Sequence, residues 1–126
     1  MHRIIVLAIA LCALNFAASV AAAPLGMGEF TGASGHETSG SVTVTKQDGR
    51  YVISFAGNFS LDGAPDPYVS LGKGNKPLAG GLIAILKSHK GAQSYAVDTG
   101  KILDGSNQVI IWCKKYAVPL GVAAIK

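Results

Sequence analysis

The sequence is short of cysteine and of long apolar runs, and each shortage excludes a class of protein. Only Cys12 and Cys113 occur among the 126 residues, so a fold held together by several disulfides is excluded. The longest N-terminal apolar run, Ile4 to Phe16, is shorter than the roughly 20 residues that a membrane-spanning helix requires. We therefore expect no integral membrane segment in the mature chain.

Charge is also sparse, because charged residues make up 14% of the chain, with 11 basic against 7 acidic side chains. The lysines are scattered along the sequence. A nucleic-acid binder more often clusters its basic residues and interleaves them with aromatics. We interpret the lysines as a solvated surface and expect no nucleic-acid partner.

Motifs that mark enzymes are absent too. The sequence contains no glycine-rich phosphate loop with its lysine, no His-Glu-x-x-His and no Gly-x-Ser-x-Gly. It also lacks Cys-x-x-Cys and Cys-x-x-Cys-His, which excludes covalent attachment of a c-type haem. No acid and base, or nucleophile with its base, can be paired from the sequence. An independent enzyme is therefore the least favoured interpretation.

The N-terminal segment has the layout of a secretory signal peptide. A short basic start at His2 and Arg3 precedes the apolar run, which small residues follow. We expect cleavage after Ala21 or Ala22, with a signal peptide over residues 1–22 and one domain over residues 23–126. The mature protein would be periplasmic or secreted. Since Cys12 would be removed with the signal, Cys113 would have no partner within the chain, and a disulfide-linked dimer remains open.

The mature part predicts an all-β domain. Sixteen glycines indicate many turns, and residues 41–55 alternate in hydrophobicity on both sides of Asp48-Gly49, which is a strong hairpin signal. Residues 109–113 form the most apolar strand, with Val109, Ile111 and Cys113 on one face. We expect residues 24–35 to be an entry segment rich in glycine and small residues, residues 72–81 to be a loop, and Pro119 to lie between two short strands. In total the pattern predicts about seven or eight short strands in a small β-sandwich or barrel.

Cys113 has several interpretations that the sequence leaves open. Free cysteine is often a buried small hydrophobe without a function. In an oxidising compartment, however, an unpaired thiol can be oxidised or cross-linked, which favours a reason for keeping it. Lys114 and Lys115 follow it directly, and nearby positive charge favours a thiolate, although a regular strand points Lys114 to the opposite face.

The other candidates are polar residues in loops. Asp62 and Asp66 lie in a turn, where Asx-turn hydrogen bonds explain them most simply. His36 precedes a strand and is either a hydrogen-bonded structural residue or a ligand, whereas His89 fits a plain surface position. A cysteine and a histidine with one further donor could hold a metal ion. We predict no metal site, because the sequence identifies no such third donor.

Four segments in this order resemble the DM-thirteen domain, a secreted or cell-surface module that also occurs beside DOMON electron-transfer domains. The resemblance covers most of the chain from about Gly28 to Ile125. It includes a Gly-x-Phe start, His-x-x-Ser-Gly before a strand, and the Trp112-Cys113 pair. The matching segments are GEF (28–30), GHETSGSVTV (35–44), FAGNFSLDGAPDPYVSLG (55–72) and VIIWCKKYAVPLGVA (109–123).

The resemblance implies a β-rich domain that transfers electrons through its cysteine. Cys113 would act as a bare thiol or as the ligand of a prosthetic group such as haem, and His36 matches the family's histidine. Trp112 and Tyr116 would shape the surroundings. The chain departs from animal members at Pro119–Gly121, and it carries no DOMON domain, so a separate redox partner protein is implied. The rival hypothesis is a non-catalytic binding or structural β-sandwich with Cys113 in its core.

Overall fold

The computed structural model describes residues 24–97 and 104–126 of the chain. The predicted signal peptide over residues 1–22 and the start of the predicted turn at residues 101–107 lie outside the described residues. All regular structure within the described ranges is β-strand, which confirms the all-β prediction. In the same ranges, no helix is long and apolar enough to cross a membrane.

The strands form two main antiparallel sheets and one short pair. The four-stranded sheet has the order β1 (Pro24–Glu29), β4 (Ser41–Gln47), β5 (Arg50–Phe55), β9 (Gln93–Val97). The five-stranded sheet has the order β2 (Thr31–Gly32), β11 (Val118–Ala124), β10 (Gln108–Cys113), β7 (Pro67–Lys73), β8 (Lys76–Ile85). The short pair joins β3 (Thr38–Ser39) and β6 (Ser60–Leu61). The described residues thus hold more strands than the seven or eight predicted, and β2, β3 and β6 are too short to show alternation.

The hairpin of β4 and β5 forms as its sequence predicts. Gln47 pairs with Arg50, which leaves Asp48 and Gly49 as the two turn residues. Their φ angles of 50° and 76° are the positive values that this class of tight turn requires. Asp48 and Gly49 tolerate such angles, so the turn fixes the register that places Val42 and Val44 in the core.

The core lies between the two main sheets. Alternate residues of β4 and β5 contribute one side of it, and alternate residues of β7, β10 and β11 contribute the other. An aromatic group at one end contains Phe30, Phe55 and Phe59, whose ring centroids are 4.6 to 5.4 Å apart. Fully buried members on the five-stranded side include Val69, Val109, Ile111 and Cys113.

The segment from residue 24 to 35, expected as a glycine-rich entry segment, is built mainly of strand. It contains β1 and β2, and β1 is the edge strand beside β4. The glycines are there for close packing, because a Cβ on Gly28 would collide with the carbonyl oxygen of Ala124. Close approach of two backbones therefore explains a composition that is otherwise typical of a turn.

Two predictions, the loop at residues 72–81 and the pair of short strands around Pro119, are wrong for related reasons. The β7–β8 hairpin turns at Gly74 and Asn75, both with positive φ, and β8 begins already at Lys76. Its pairing with β7 is irregular around Ser70, so the strand continues through a disturbed, glycine-containing stretch. Pro119 lies inside the single strand β11, opposite Trp112, where the register shifts and an N–H is least needed.

Candidate functional site

Cys113 is the last residue of β10, a central strand of the five-stranded sheet. It pairs with Pro67 on β7 and with Val118 on β11. Its side chain faces the core and is 1% exposed. The Sγ–H donates a hydrogen bond to the carbonyl oxygen of Pro65, at 3.2 Å. The thiol is therefore buried beneath the connection between β6 and β7.

This connection, residues 62–66, is called the covering turn below. Gly63 and Asp66 have φ angles of 118° and 55°, so the chain bends sharply at both. The turn is fastened beside the thiol by a hydrogen bond from the Lys114 N–H to the Asp66 carbonyl, at 3.1 Å. Pro65 lies within the turn and Pro67 directly follows it, and both favour one fixed backbone conformation because proline restricts φ. The sequence predicted a turn here but could not show that it lies over Cys113.

The other end of the covering turn is fastened through Asp62. One carboxylate oxygen lies 3.0 Å from His36 Nδ1, and the other accepts the Glu37 N–H at 3.0 Å. The Asp62 N–H in turn donates to the Glu37 carbonyl. These contacts join residues about 25 positions apart and differ from the local Asx-turn bonds that the sequence favoured. His36 is thus a hydrogen-bonded residue, whereas the other candidate aspartate, Asp66, holds the turn by its backbone.

The hydrogen bonds to Asp62 favour its ionised form. The backbone N–H of Glu37 contributes most, and the His36 ring contributes next, so the pKa of the Asp62 carboxyl lies below its ordinary value of 3.8. Because the folded-state pKa lies below the unfolded one, ionised Asp62 stabilises the fold above that ordinary value. The contribution is lost as the pH falls through the folded-state pKa.

Replacing Asp62 with asparagine should therefore flatten the stability profile in acid. Asparagine keeps the shape of the side chain but cannot titrate. The urea midpoint of Asp62→Asn should therefore fall less than that of the wild type as the pH is lowered through this window. Equilibrium urea unfolding, followed at several pH values, measures the difference. Glu29→Gln, at an exposed position on β1, is the control and should track the wild type. Identical acid profiles for Asp62→Asn and the wild type would contradict this assignment.

Trp112 and Tyr116 occupy different surroundings from the thiol. Trp112 is half-buried on the outer face of the five-stranded sheet, where it lies opposite Tyr68 and Pro119. Tyr116 is 62% exposed in the turn between β10 and β11, and the Lys115 Nζ lies 5.4 Å from its ring centroid. Both aromatics are thus close to Cys113 in the sequence, but the Trp112 side chain lies on the opposite face of β10 and Tyr116 is largely exposed to solvent.

The residues around Cys113 do not fit a ligated haem or metal ion in this conformation. Its sulfur is enclosed by core side chains and the covering turn, which leaves no open side for an iron atom. Among residues 24–97 and 104–126, no three His, Cys, Asp or Glu side chains lie close enough to hold a metal ion. His36 instead lines an open polar groove of about 530 Å³ with Glu37, Asp62 and Ser60.

Sequence reasoning missed the Pro65 carbonyl, because a backbone acceptor carries no residue-type signature. The double proline at Pro65 and Pro67 was the available signal, since it marks a rigid turn. It could have suggested a fixed structure, but not the strand that this structure covers.

A family model described as electron transfer DM13 matches residues 29–125. The chain belongs to the DM13 family. The match covers most of the sequence and includes His36, Asp62, Trp112 and Cys113. No curated protein and no solved structure matches this DM13 chain. The family resemblance inferred from the sequence motifs is thereby confirmed.

Proposed function

We propose that this DM13 chain is an exported electron-transfer module that acts through the thiol of Cys113. The observation that carries the proposal is the electron-transfer family match, in which Cys113 is the sole cysteine between residues 29 and 125. Export follows from the signal-like residues 1–22, and it would place the thiol in an oxidising compartment. There it would exchange electrons with a separate redox partner protein.

The chemistry that suits a lone thiol is exchange with a disulfide on the partner. The Cys113 thiolate attacks one sulfur of that disulfide, the partner's S–S bond breaks, and a Cys113–partner S–S bond forms. The departing partner sulfur leaves as a thiolate and takes up a proton. The Cys113 thiolate of a second copy then attacks the Cys113 sulfur of the mixed disulfide, and the remaining partner sulfur leaves as a thiolate and takes up a proton. The partner's disulfide is thereby reduced to two thiols, and two Cys113 thiols are oxidised to the disulfide-linked dimer.

Access to the thiol requires the covering turn to move. Among the described residues, the hydrogen bonds that fasten it are the Asp62 contacts at one end and the Lys114–Asp66 and Cys113–Pro65 bonds at the other, and Ala64 packs against the core. The turn contributes no strand pairing of its own, so it can open without breaking either sheet. Local opening costs less free energy than global unfolding wherever so few contacts are broken. The covering turn would therefore control when Cys113 reacts.

The rival function is a non-catalytic extracellular binding or structural module. The observation that favours it is the position of Cys113, which is 1% exposed and belongs to the core cluster. In this function the residue is a packed small hydrophobe and the loops engage the partner.

Thiol labelling of the folded protein separates the two functions. With an aromatic disulfide reagent, Cys113 should react faster than global unfolding allows, because the covering turn opens on its own. Asp62→Ala should raise the labelling rate further, since it frees one end of the turn. Cys113→Ser in the chain that begins at residue 23, which then contains no cysteine, should take up no reagent and is the control for labelling at other sites.

Two results would contradict the proposal. One is a labelling rate equal to the global unfolding rate in both the wild type and Asp62→Ala. The other is a Cys113→Ser variant that exchanges electrons with a disulfide-bearing redox protein as well as the wild type does. Either result would leave Cys113 as a core residue and favour the binding module.

A further inference from the structure

The two main sheets present very different outer faces. The outer face of the four-stranded sheet carries small polar side chains at its centre, including Thr43, Thr45, Ser54 and Ser94. This is the usual arrangement for an antiparallel sheet with one face in water. The outer face of the five-stranded sheet departs from it.

Two rows of side chains cross this second outer face, because residues paired across antiparallel strands point the same way. One row contains, in order, Pro119, Trp112, Tyr68 and Ile85. The next contains Val122, Ile110, Ser70 and Leu82. These eight residues are called the aromatic face below. They include no charged side chain, and Ser70 satisfies its hydroxyl by donating to the Ile110 carbonyl.

The aromatic face is exposed enough to contact another molecule. Ile85 is 62% exposed and Leu82 is 40% exposed, while Trp112, Tyr68 and Pro119 are half-buried. Ile110 and Ser70 are fully buried at the centre, so contact with another molecule would be made by the side chains around them. Tryptophan and tyrosine beside aliphatic residues form the composition that carries most of the free energy in protein interfaces. The sole tryptophan of the sequence stands in this face.

Lysines border the aromatic face at both ends. Lys114 and Lys115 follow β10 at one end, and the Lys114 Nζ lies 5.2 Å from the Tyr68 ring centroid. Lys73 and Lys76 form a pair at the turn of the β7–β8 hairpin, at the other end. Among the described residues, the acidic side chains in the adjoining turns are Asp66 and Asp104, against four lysines, so the described border is net basic. A second copy of this chain, with a net charge of +4, would bring like charges together.

We propose that the aromatic face is the docking surface for an acidic protein partner, which packs an apolar centre against Trp112, Tyr68 and Ile85. Acidic groups around that centre pair with the lysine border. Docking itself needs no chemistry at Cys113, and only the identity of the partner as an electron carrier rests on the function proposed above. The covering turn ends at Asp66, two residues before Tyr68, so a partner docked here sits beside the segment that shields the thiol.

A displayed library of short random peptides provides a probe of stated chemistry. Peptides selected on the folded protein should carry net negative charge and apolar residues, and they should change the fluorescence of Trp112 on binding. Ile85→Ser should weaken the selected peptides by about tenfold, which is the loss expected for one buried aliphatic side chain. The double substitution Lys114→Glu and Lys115→Glu should weaken them as well and reduce their salt dependence.

Matched variants on the other sheet keep the test specific. Met27→Ser removes an apolar side chain of similar exposure, 58%, from the four-stranded sheet, and it should leave binding unchanged. Circular dichroism confirms that each variant is folded. Because both Ile85 and Met27 are largely exposed, neither substitution should unfold the domain.

Several outcomes would overturn the proposal. They are selected peptides without net negative charge, equal binding by Ile85→Ser and the wild type, and equal losses for Ile85→Ser and Met27→Ser. Failure to select any saturable binder also counts against it. Binding to phosphatidylglycerol vesicles without peptide binding would assign the face to a membrane, and concentration-dependent dimers lost in Ile85→Ser would assign it to a second copy. Since the readout is fluorescence and not thiol oxidation, failure of docking is distinguishable from failure of the redox function.

Discussion

Replacing Phe59 with alanine should lower the free energy of unfolding by about 3–5 kcal/mol. Phe59 is 2% exposed, and its ring packs against both Phe30 and Phe55 at centroid distances of 5.4 and 4.6 Å. Truncation removes the buried ring and leaves a cavity beside Phe30 and Phe55, which the surrounding residues would have to fill. Urea unfolding should show a much lower midpoint with an unchanged slope.

Met27→Ala is the matched control for this prediction. Met27 is 58% exposed on the edge strand β1, so its truncation should change the free energy of unfolding by no more than about 0.5 kcal/mol. A Phe59→Ala variant that resembled this control would show that the aromatic group does not hold the core together.

Replacing Gly40 with alanine should destabilise the protein by about 3 kcal/mol or more, since it combines backbone strain with overpacking. Gly40 has a φ angle of 106°, which favours glycine. A Cβ at this position would lie 2.5 Å from the Phe59 Cα and 2.7 Å from the Phe59 nitrogen. Because backbone atoms cannot rotate away, β3 or the segment that carries Phe59 would have to shift.

Gly63→Ala separates the cost of backbone strain from the cost of overpacking. Gly63 has a similar φ angle of 118°, but a Cβ there would meet no atom within 4 Å. Its substitution should cost only the conformational strain of about 1–3 kcal/mol. Thermal or urea unfolding of both variants gives the difference, which measures the collision at Gly40. Equal losses in the two variants would show that conformation alone accounts for the effect.

Sequence patterns predicted correctly the strands and turns that are determined by residues close together in the chain. The hairpin around Asp48 and Gly49 needs only alternation and two residues that accept positive φ. The strand at residues 108–113 needs only an apolar run, and the grouping of Val109, Ile111 and Cys113 on one face was predicted correctly. The structure turns that face to the core. In these cases neighbouring residues decide the structure, so one segment contains enough information.

The predictions fail where contact with a distant segment determines the local structure. Gly28 looks like a turn residue, yet it lies in a strand because Ala124 approaches it closely. The pairing of His36 with Asp62 and the hydrogen bond from Cys113 to Pro65 join residues 26 and 48 positions apart. No pattern within a single segment encodes such contacts. The sequence could therefore nominate Cys113, His36 and Asp62 separately, but it could not show that the covering turn connects their surroundings.

The pairing between the two ends of the described chain affects how the protein folds. Met27 and Lys126 exchange two backbone hydrogen bonds, at 3.1 and 3.0 Å, and β2 pairs with β11. Topologies dominated by such distant pairings fold in milliseconds to seconds, because the long loops must close first. The sheets cannot be completed until the last strand is available, so on the proposed export route the chain would arrive unfolded. During that interval Cys113 would be uncovered, and the rate of strand pairing relative to the rate of oxidation would decide whether its thiol survives into the native state.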